Sequence, residues 1–279
     1  MARLAWNAYG KAAVHLSKVE RIGERHAFHE LTVAIRLVGD FSEAHTAGIN
    51  ANILPTDTMK NTVYALAREG PVDPPEVFAE RLGRRFLAAS PYTRSAIVTV
   101  TTTGWERAAV GGLPHEHAFV RGPSERRLAT VTVRPGVELV EAGLAGLGLL
   151  KTTGSAFSGY LVDEYTTLPE TRERVLATDV EATWRYTTTP SDWSAAWHAV
   201  RAALIETFAT HESESVQQTL YAMGEAALAA CADAAEIRLV LPNQHHLLVD
   251  LSAFGLDNPN MVFVSTREPF GRIEAVIER

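Results

Sequence analysis

Cysteine is almost absent: a single residue, Cys231, stands in 279. No intrachain disulfide is possible, and a reducing compartment is the natural setting. Cys231 lies in the apolar stretch Ala226 to Ala232, where a free thiol reads as packing. Long hydrophobic runs are missing as well. Nowhere do about 18 apolar residues follow one another, which argues against a membrane span, and Met1-Ala2-Arg3-Leu4-Ala5-Trp6-Asn7 has no apolar core ahead of a small-residue cleavage site. The last residues, Val276-Ile277-Glu278-Arg279, lack a Ser-Lys-Leu type of peroxisomal address. A cytoplasmic location is the expectation. The basic side is thin: 26 Lys and Arg against 33 Asp and Glu leave a formal net charge of -7. Arg84 and Arg85, and Arg126 and Arg127, sit among acidic neighbours, so no nucleic-acid footprint is expected. Gly-x-Gly-x-x-Gly and Walker patterns, cysteine pairs and His-Glu-x-x-His helices do not occur. Dinucleotides and nucleoside triphosphates have no evident cradle, and redox chemistry would have to proceed without a recognisable cofactor site.

What is present is ample core material, with 46% hydrophobic residues, enough for one large or two moderate domains. Leu31, Val33, Ile35 and Leu37 alternate with Thr32, Ala34 and Arg36, the period of a strand with one buried face. The stretch Ala12 to Val19 is its expected hairpin partner. Two helices follow, about Thr58 to Arg68 and Pro75 to Ala88, the second with proline in its first turn. Strands return over Arg94 to Thr103 and His117 to Val133, with a turn expected near Gly122-Pro123-Ser124. The second half repeats the order: strands in Leu149 to Tyr160 and Val180 to Thr188, helices near Ser191 to Thr210 and Ser215 to Ala232, then strands around Ile237 to Leu241, Leu247 to Leu251 and Met261 to Ser265. This is ββααββ twice, an α+β duplication with antiparallel sheets and helices on one face. The boundary is expected between residues 138 and 139, within a joint running from Gly136 to Gly148.

Several short segments carry chemistry-bearing groups. In Leu54-Pro55-Thr56-Asp57-Thr58, Thr56 or Asp57 is expected to cap a helix whose first N–H groups favour a small anion; an ordinary capped helix is the plain alternative. In Tyr9-Gly10-Lys11 the glycine permits close backbone approach, and a lysine drawn partly out of water can act as an acid–base group, against the alternative of a solvated lysine. Thr167 to Glu170 looks like a capping box with Pro169 at the first helical position, placing Arg174 about a turn and a half into a short helix. Arg174 offers a planar fork to a carboxylate or an amide-like edge, or simply faces solvent. Gln217, in the first turn of the fourth helix, can both donate to and accept from a heterocycle edge. His245 and His246 are expected at a join between strands, where a histidine is either functional or a mere turn residue. His115 and His117, two apart on a strand, are the one candidate pair of zinc ligands, though the flanking Gly111-Gly112-Leu113-Pro114 reads as a hairpin turn.

Taken together, Tyr9-Gly10-Lys11, Pro55 to Tyr64, Asp163 to Thr171, Ser215-Val216-Gln217 and Leu241 to His245 closely resemble the urate oxidase (uricase) family, in the family's order across nearly the whole chain. The resemblance implies the tunnelling fold (T-fold), two ββααββ modules per chain, with a homotetramer enclosing a central channel and active sites between subunits. It implies oxidation of urate by O2 and water to 5-hydroxyisourate and hydrogen peroxide, with no metal or organic cofactor and with O2 as co-substrate. Carried over by position, Lys11, Thr56 and His245 match the proton relay. Arg174 and Gln217 would grip the pyrimidine edge of urate, Phe157 would stack on the ring, backbone groups of Asp57 and Val216 would complete the rim, and Asn243 with Thr56 would hold dioxygen or water. Two departures are local: Thr171 to Arg174 is charged where relatives often carry tryptophan, and His246 stands where an aromatic is common. The alternatives are a zinc-dependent pterin- or GTP-type enzyme of the same fold, using His115 and His117, and a catalytically silent purine-binding scaffold.

Overall fold

The computed structural model describes residues 2–279. The chain runs β1 (Ala8–Ile22), β2 (Arg25–Gly39), a short α1 (Ser42–Thr46), α2 (Thr56–Glu69), α3 (Pro75–Ala88), β3 (Thr93–Val110), β4 (Leu113–Arg134), β5 (Val137–Lys151), β6 (Leu176–Tyr186), α4 (Trp193–Thr210), α5 (Val216–Ala230), β7 (Ala234–Leu248) and β8 (Phe263–Glu278). The expected order ββααββ therefore occurs twice, and hydrogen-bonded strand order follows chain order from β1 to β8. Two compact units divide the chain. The first comprises Met1–Leu144 with Arg185–Ser194, the second Ala145–Trp184 with Ala195–Arg279.

In the first unit the alternation of β2 does what its period requires. Leu31, Val33, Ile35 and Leu37 are buried while Arg36 is exposed. They meet Val98 and Val100 of β3, Val131 of β4, and the apolar faces of the two helices: Met59, Val63 and Ala67 from α2, Phe78, Leu82 and Phe86 from α3. Helix α2 packs on β1 and α3 on β3 and β4, so the sheet and both helices share one core. Gly111 and Gly112, with φ of +60° and +81°, supply the two left-handed positions of the loop closing the β3–β4 hairpin. In the second unit α4 buries Trp197, Val200, Leu204 and Phe208, and α5 buries Leu220, Met223 and Ala227. Helix α5 packs on β7 and β8, whose Ile237, Leu239, Leu241 and Ile277 are buried. Cys231 is buried and free.

The two units part after Leu144, inside the stretch from Gly136 to Gly148, which from Val137 on is strand β5. Three expectations about local structure are corrected. Gly122-Pro123-Ser124 makes no turn but lies within β4. There the ladder slips between Thr103 and Trp105, and the residues between Arg121 and Arg126 take up the irregularity, a position where proline's missing N–H costs nothing. Pro242 likewise does not separate two strands, since β7 runs through it unbroken. The capping box at Thr167 to Glu170 starts no helix. Glu170 instead accepts from Gly159 N at 2.8 Å, and Thr171 Oγ1 donates to Glu173 O at 2.8 Å and accepts from Glu173 N at 3.2 Å, so side-chain bonds take the place of helical ones.

Candidate active site

In the first unit, β1 carries Lys11 and the start of α2 carries Thr56 and Asp57. Pro55, not Thr56 or Asp57, is the residue ahead of the first turn, and no side chain caps that turn. The N–H groups of Thr56, Asp57 and Thr58 thus lack a capping oxygen, at the positive end of a 14-residue helix. Thr56 is half-buried and Asp57 exposed. The Asp57 carboxylate pairs with Lys60 and accepts from Asn61 Nδ2 at 3.0 Å. Its pKa is held below the usual range, chiefly by the Lys60 hydrogen bond and charge, with a smaller pull from Lys11. Lys11 and the mouth of α2 therefore share one electrostatic neighbourhood.

Tyr9 creates that neighbourhood. Its hydroxyl accepts from the Leu54 N–H at 2.8 Å, joining a point two residues before Lys11 to a point two residues before Thr56. Its ring stands edge-on to Phe41, with centroids 4.7 Å apart, and burial raises the phenol's pKa. Gly10 is required by close approach, because a Cβ there would lie 1.8 Å from the Ile35 carbonyl oxygen. The ladder shifts just beyond Lys11, where Ala13 takes φ of +53°, so the lysine sits at a bulge instead of in a regular strand. An open cleft of about 660 Å³ adjoins it, lined among others by Trp6, Tyr9, Lys11 and Arg36.

In the second unit, Phe157 and Arg174 come together. Phe157 exchanges two backbone hydrogen bonds with Thr171, at 2.8 and 3.0 Å, and the Arg174 guanidinium carbon lies 5.4 Å from the Phe157 ring centroid. Tyr160 stacks on Phe157 at 4.8 Å with planes 17° apart. Arg174 is half-buried, and desolvation lowers its pKa. Its only side-chain hydrogen bond among the described residues runs from Nε to Ser155 Oγ, at 3.2 Å, which leaves both terminal nitrogens without a protein partner.

Gln217 occupies the first turn of α5, exposed, beside buried Val216. Ser215 is the true cap of this helix and accepts from Gln218 N at 3.2 Å. Asn243 and His245 are half-buried on β7, on either side of a register break: Asn243 pairs with Gly271 and His245 with Thr266. Gln244, between them, donates to Asp179 at 2.7 Å. No hydrogen bond among the described residues joins Asn243 or His245 to Arg174, Phe157 or Gln217. The residues that the sequence reading gave no role are Ser155, Ser213 and Thr219, buried hydroxyls; Ser155 meets Arg174 and Ser213 only through the fold, so no local pattern marks it.

His115 Nδ1 accepts from His117 N at 3.2 Å and from Ala118 N at 3.1 Å, so that nitrogen serves the hairpin. Among the described residues no group of three or more His, Cys, Asp or Glu is placed to hold a metal ion.

Comparison with known proteins bears on the whole chain. The profile of the uricase family matches residues 7–132 and 140–274. A uricase from Arthrobacter globiformis is 45% identical over 276 residues, spanning 99% of this chain and 90% of that protein. A uricase from Aspergillus flavus is 36% identical over 288 residues, spanning 97% and 95%. A crystal structure of uricase from Arthrobacter globiformis covers 100% of this chain and 96% of its own with a TM-score of 0.95. Urate oxidase from Bacillus sp. TB-90, 23% identical, shares the fold with a TM-score of 0.86.

Proposed function

The chain belongs to the uricase family, and on that premise we propose that it oxidises urate with O2 and water to 5-hydroxyisourate and hydrogen peroxide, using no metal or organic cofactor. The observation that carries the reading at the level of residues is the Arg174–Phe157 pair. A desolvated cation with two unclaimed terminal nitrogens stands beside an aromatic face, as a flat, electron-rich anion requires. Gln217 supplies a donor and an acceptor to the same ring edge. The uncapped start of α2 with Thr56, the backbone of Asp57 and Val216, and Asn243 complete the contacts to urate and to O2 or water.

In this reading Lys11, acting through Thr56, withdraws a proton from bound urate and later returns protons to reduced oxygen, with His245 as the shuttle. Two electrons pass from the purine to O2, water adds to the oxidised ring, and peroxide leaves carrying two protons. The deprotonated purine is itself the reductant, so no resident redox group enters the balance.

The active site is assembled from Lys11 and Thr56 of one subunit and Phe157, Arg174, Gln217 and His245 of its neighbour in a homotetramer. Exposed area supports assembly. Leu161, Tyr165, Phe254, Met261 and Leu113 are 73% or more exposed, which marks surface suited to burial by partners.

Oxygen uptake on metal-stripped protein tests the proposal. Urate should consume O2 and yield peroxide at the same rate before and after chelation. Activity that vanishes on chelation and returns with zinc would replace it with a metal enzyme, and urate binding without peroxide would replace it with a scaffold.

A further inference from the structure

Three of the most buried polar residues of the second unit are hydroxyls: Ser155 at 1% exposure, Ser213 at 3% and Thr219 at 0%. None had a role in the proton relay or the substrate contacts, yet together they run from Arg174 to the first turn of α5. Ser155 holds Arg174 twice, accepting from its backbone N at 3.0 Å with the carbonyl and from its Nε at 3.2 Å with the hydroxyl. The strand-like pairing of Ser155 with Ser213 is closed by Ala156 N to Ser213 O at 2.7 Å and Ser213 N to Gly154 O at 3.0 Å. Ser213 Oγ donates onward to Ser215 O at 3.1 Å and accepts from Thr219 Oγ1 at 2.7 Å. Ser215 caps the helix that presents Gln217.

A buried hydroxyl is stable only while bonded, so such a ladder tolerates little displacement of its members. The Ser155 hydroxyl bonds Arg174 at the one guanidinium nitrogen that is not terminal. It thereby restricts rotation of the fork while leaving both ends available, and the bonds that follow fix the distance from that fork to Gln217.

We infer that Ser155 is a positioning residue for substrate binding: through Arg174 Nε and the Ser213–Thr219 bonds it holds the guanidinium of Arg174 in register with Gln217. It touches no substrate. The inference rests on the urate-oxidising reading above and deepens it by naming what aligns the two arms of the clamp.

The test is a double-mutant cycle read by oxygen uptake over a range of urate concentrations in wild type, Ser155→Ala, Arg174→Ala and the double variant. Ser155→Ala should raise KM for urate about tenfold, the scale of a hydrogen bond to a charged group, with kcat within about twofold. In the Arg174→Ala background the same substitution should raise KM by less than about twofold, because the group it positions is gone. Equal effects of Ser155→Ala in both backgrounds would overturn the inference and make the serine merely structural. Ser155→Cys, which keeps a side chain of similar volume with a weaker acceptor, should give a smaller rise in KM than Ser155→Ala and serves if the alanine variant does not fold; wild-type KM in that variant overturns the inference too. Absence of any urate-dependent oxygen uptake in the wild type would instead remove the function on which the inference stands.

Discussion

Leu54 N–H to the Tyr9 hydroxyl and the Tyr64 hydroxyl to the His15 carbonyl tie the strand bearing Lys11 to the helix bearing Thr56 and the residues just before it, whereas Arg174 is itself held by Ser155, at its backbone by a carbonyl and at Nε by a buried hydroxyl. The first group is partly wet, with Asp57 exposed and the helix start uncapped; the second is desolvated around Ser155, Ser213 and Thr219. The difference matches the two tasks proposed for these groups. Groups that exchange protons with water need access and small motions, and a serial relay needs only its members within reach. A clamp that orients a planar anion gains affinity from being rigid before the ligand arrives, since ordering it at the moment of binding would subtract from the binding free energy.

If the Lys11 and Arg174 groups divide the labour in this way, substitutions should divide the kinetics. The largest effect is expected for Lys11→Ala, which should lower kcat about 100-fold or more while urate KM stays within a few-fold. Near-wild-type kcat would take Lys11 out of the relay. Next is Arg174→Ala, expected to weaken urate binding by about 2 kcal/mol, about a 30-fold rise in KM, with the smaller change in kcat; steady-state oxygen uptake separates the two constants, and an unchanged KM would contradict the placement. Tyr9→Phe should be milder. Losing the acceptor for Leu54 N–H is expected to cost about 1 kcal/mol of stability, seen as a lower Tm, and to reduce kcat about fivefold without moving KM by more than about twofold. A rise in KM with kcat intact would put Tyr9 on the binding side and blur the comparison. Smallest of all, chelation should change neither constant, and a loss of rate after dialysis against a strong chelator would bring metal chemistry back.

The fold was readable where periodicity is strong. The alternation of Leu31 to Leu37 has a direct counterpart in β2, and the two helical patterns before β3 differ from α2 and α3 by no more than two residues. It was unreadable where glycine and proline occur inside long strands. Gly143, Gly146 and Gly148 obscure strand β5 within the joint, and Pro123 and Pro242 look like breaks. Each proline is instead tolerated in its strand, Pro123 where the ladder slips and Pro242 opposite Arg272. The same limit applies to the candidate site. Lys11, Thr56, Arg174 and Gln217 sit in segments whose residue types announce chemistry. Ser155 and Ser213 are ordinary serines until the fold brings residues 155 and 213 into register, a pairing across 58 positions that no local pattern encodes.

The central claim is that a Lys11 half-site and an Arg174 half-site from different subunits make one active centre, and mixing two crippled chains tests it most directly. Lys11→Ala and Arg174→Ala proteins, each slow alone at limiting urate, would be co-expressed in equal amounts and purified as mixed assemblies. Random association places an intact Lys11 with an intact Arg174 at about one site in four, so the mixture should recover about a quarter of wild-type kcat/KM. Activity no higher than the mean of the two parents would contradict the shared site and return both halves to a single chain.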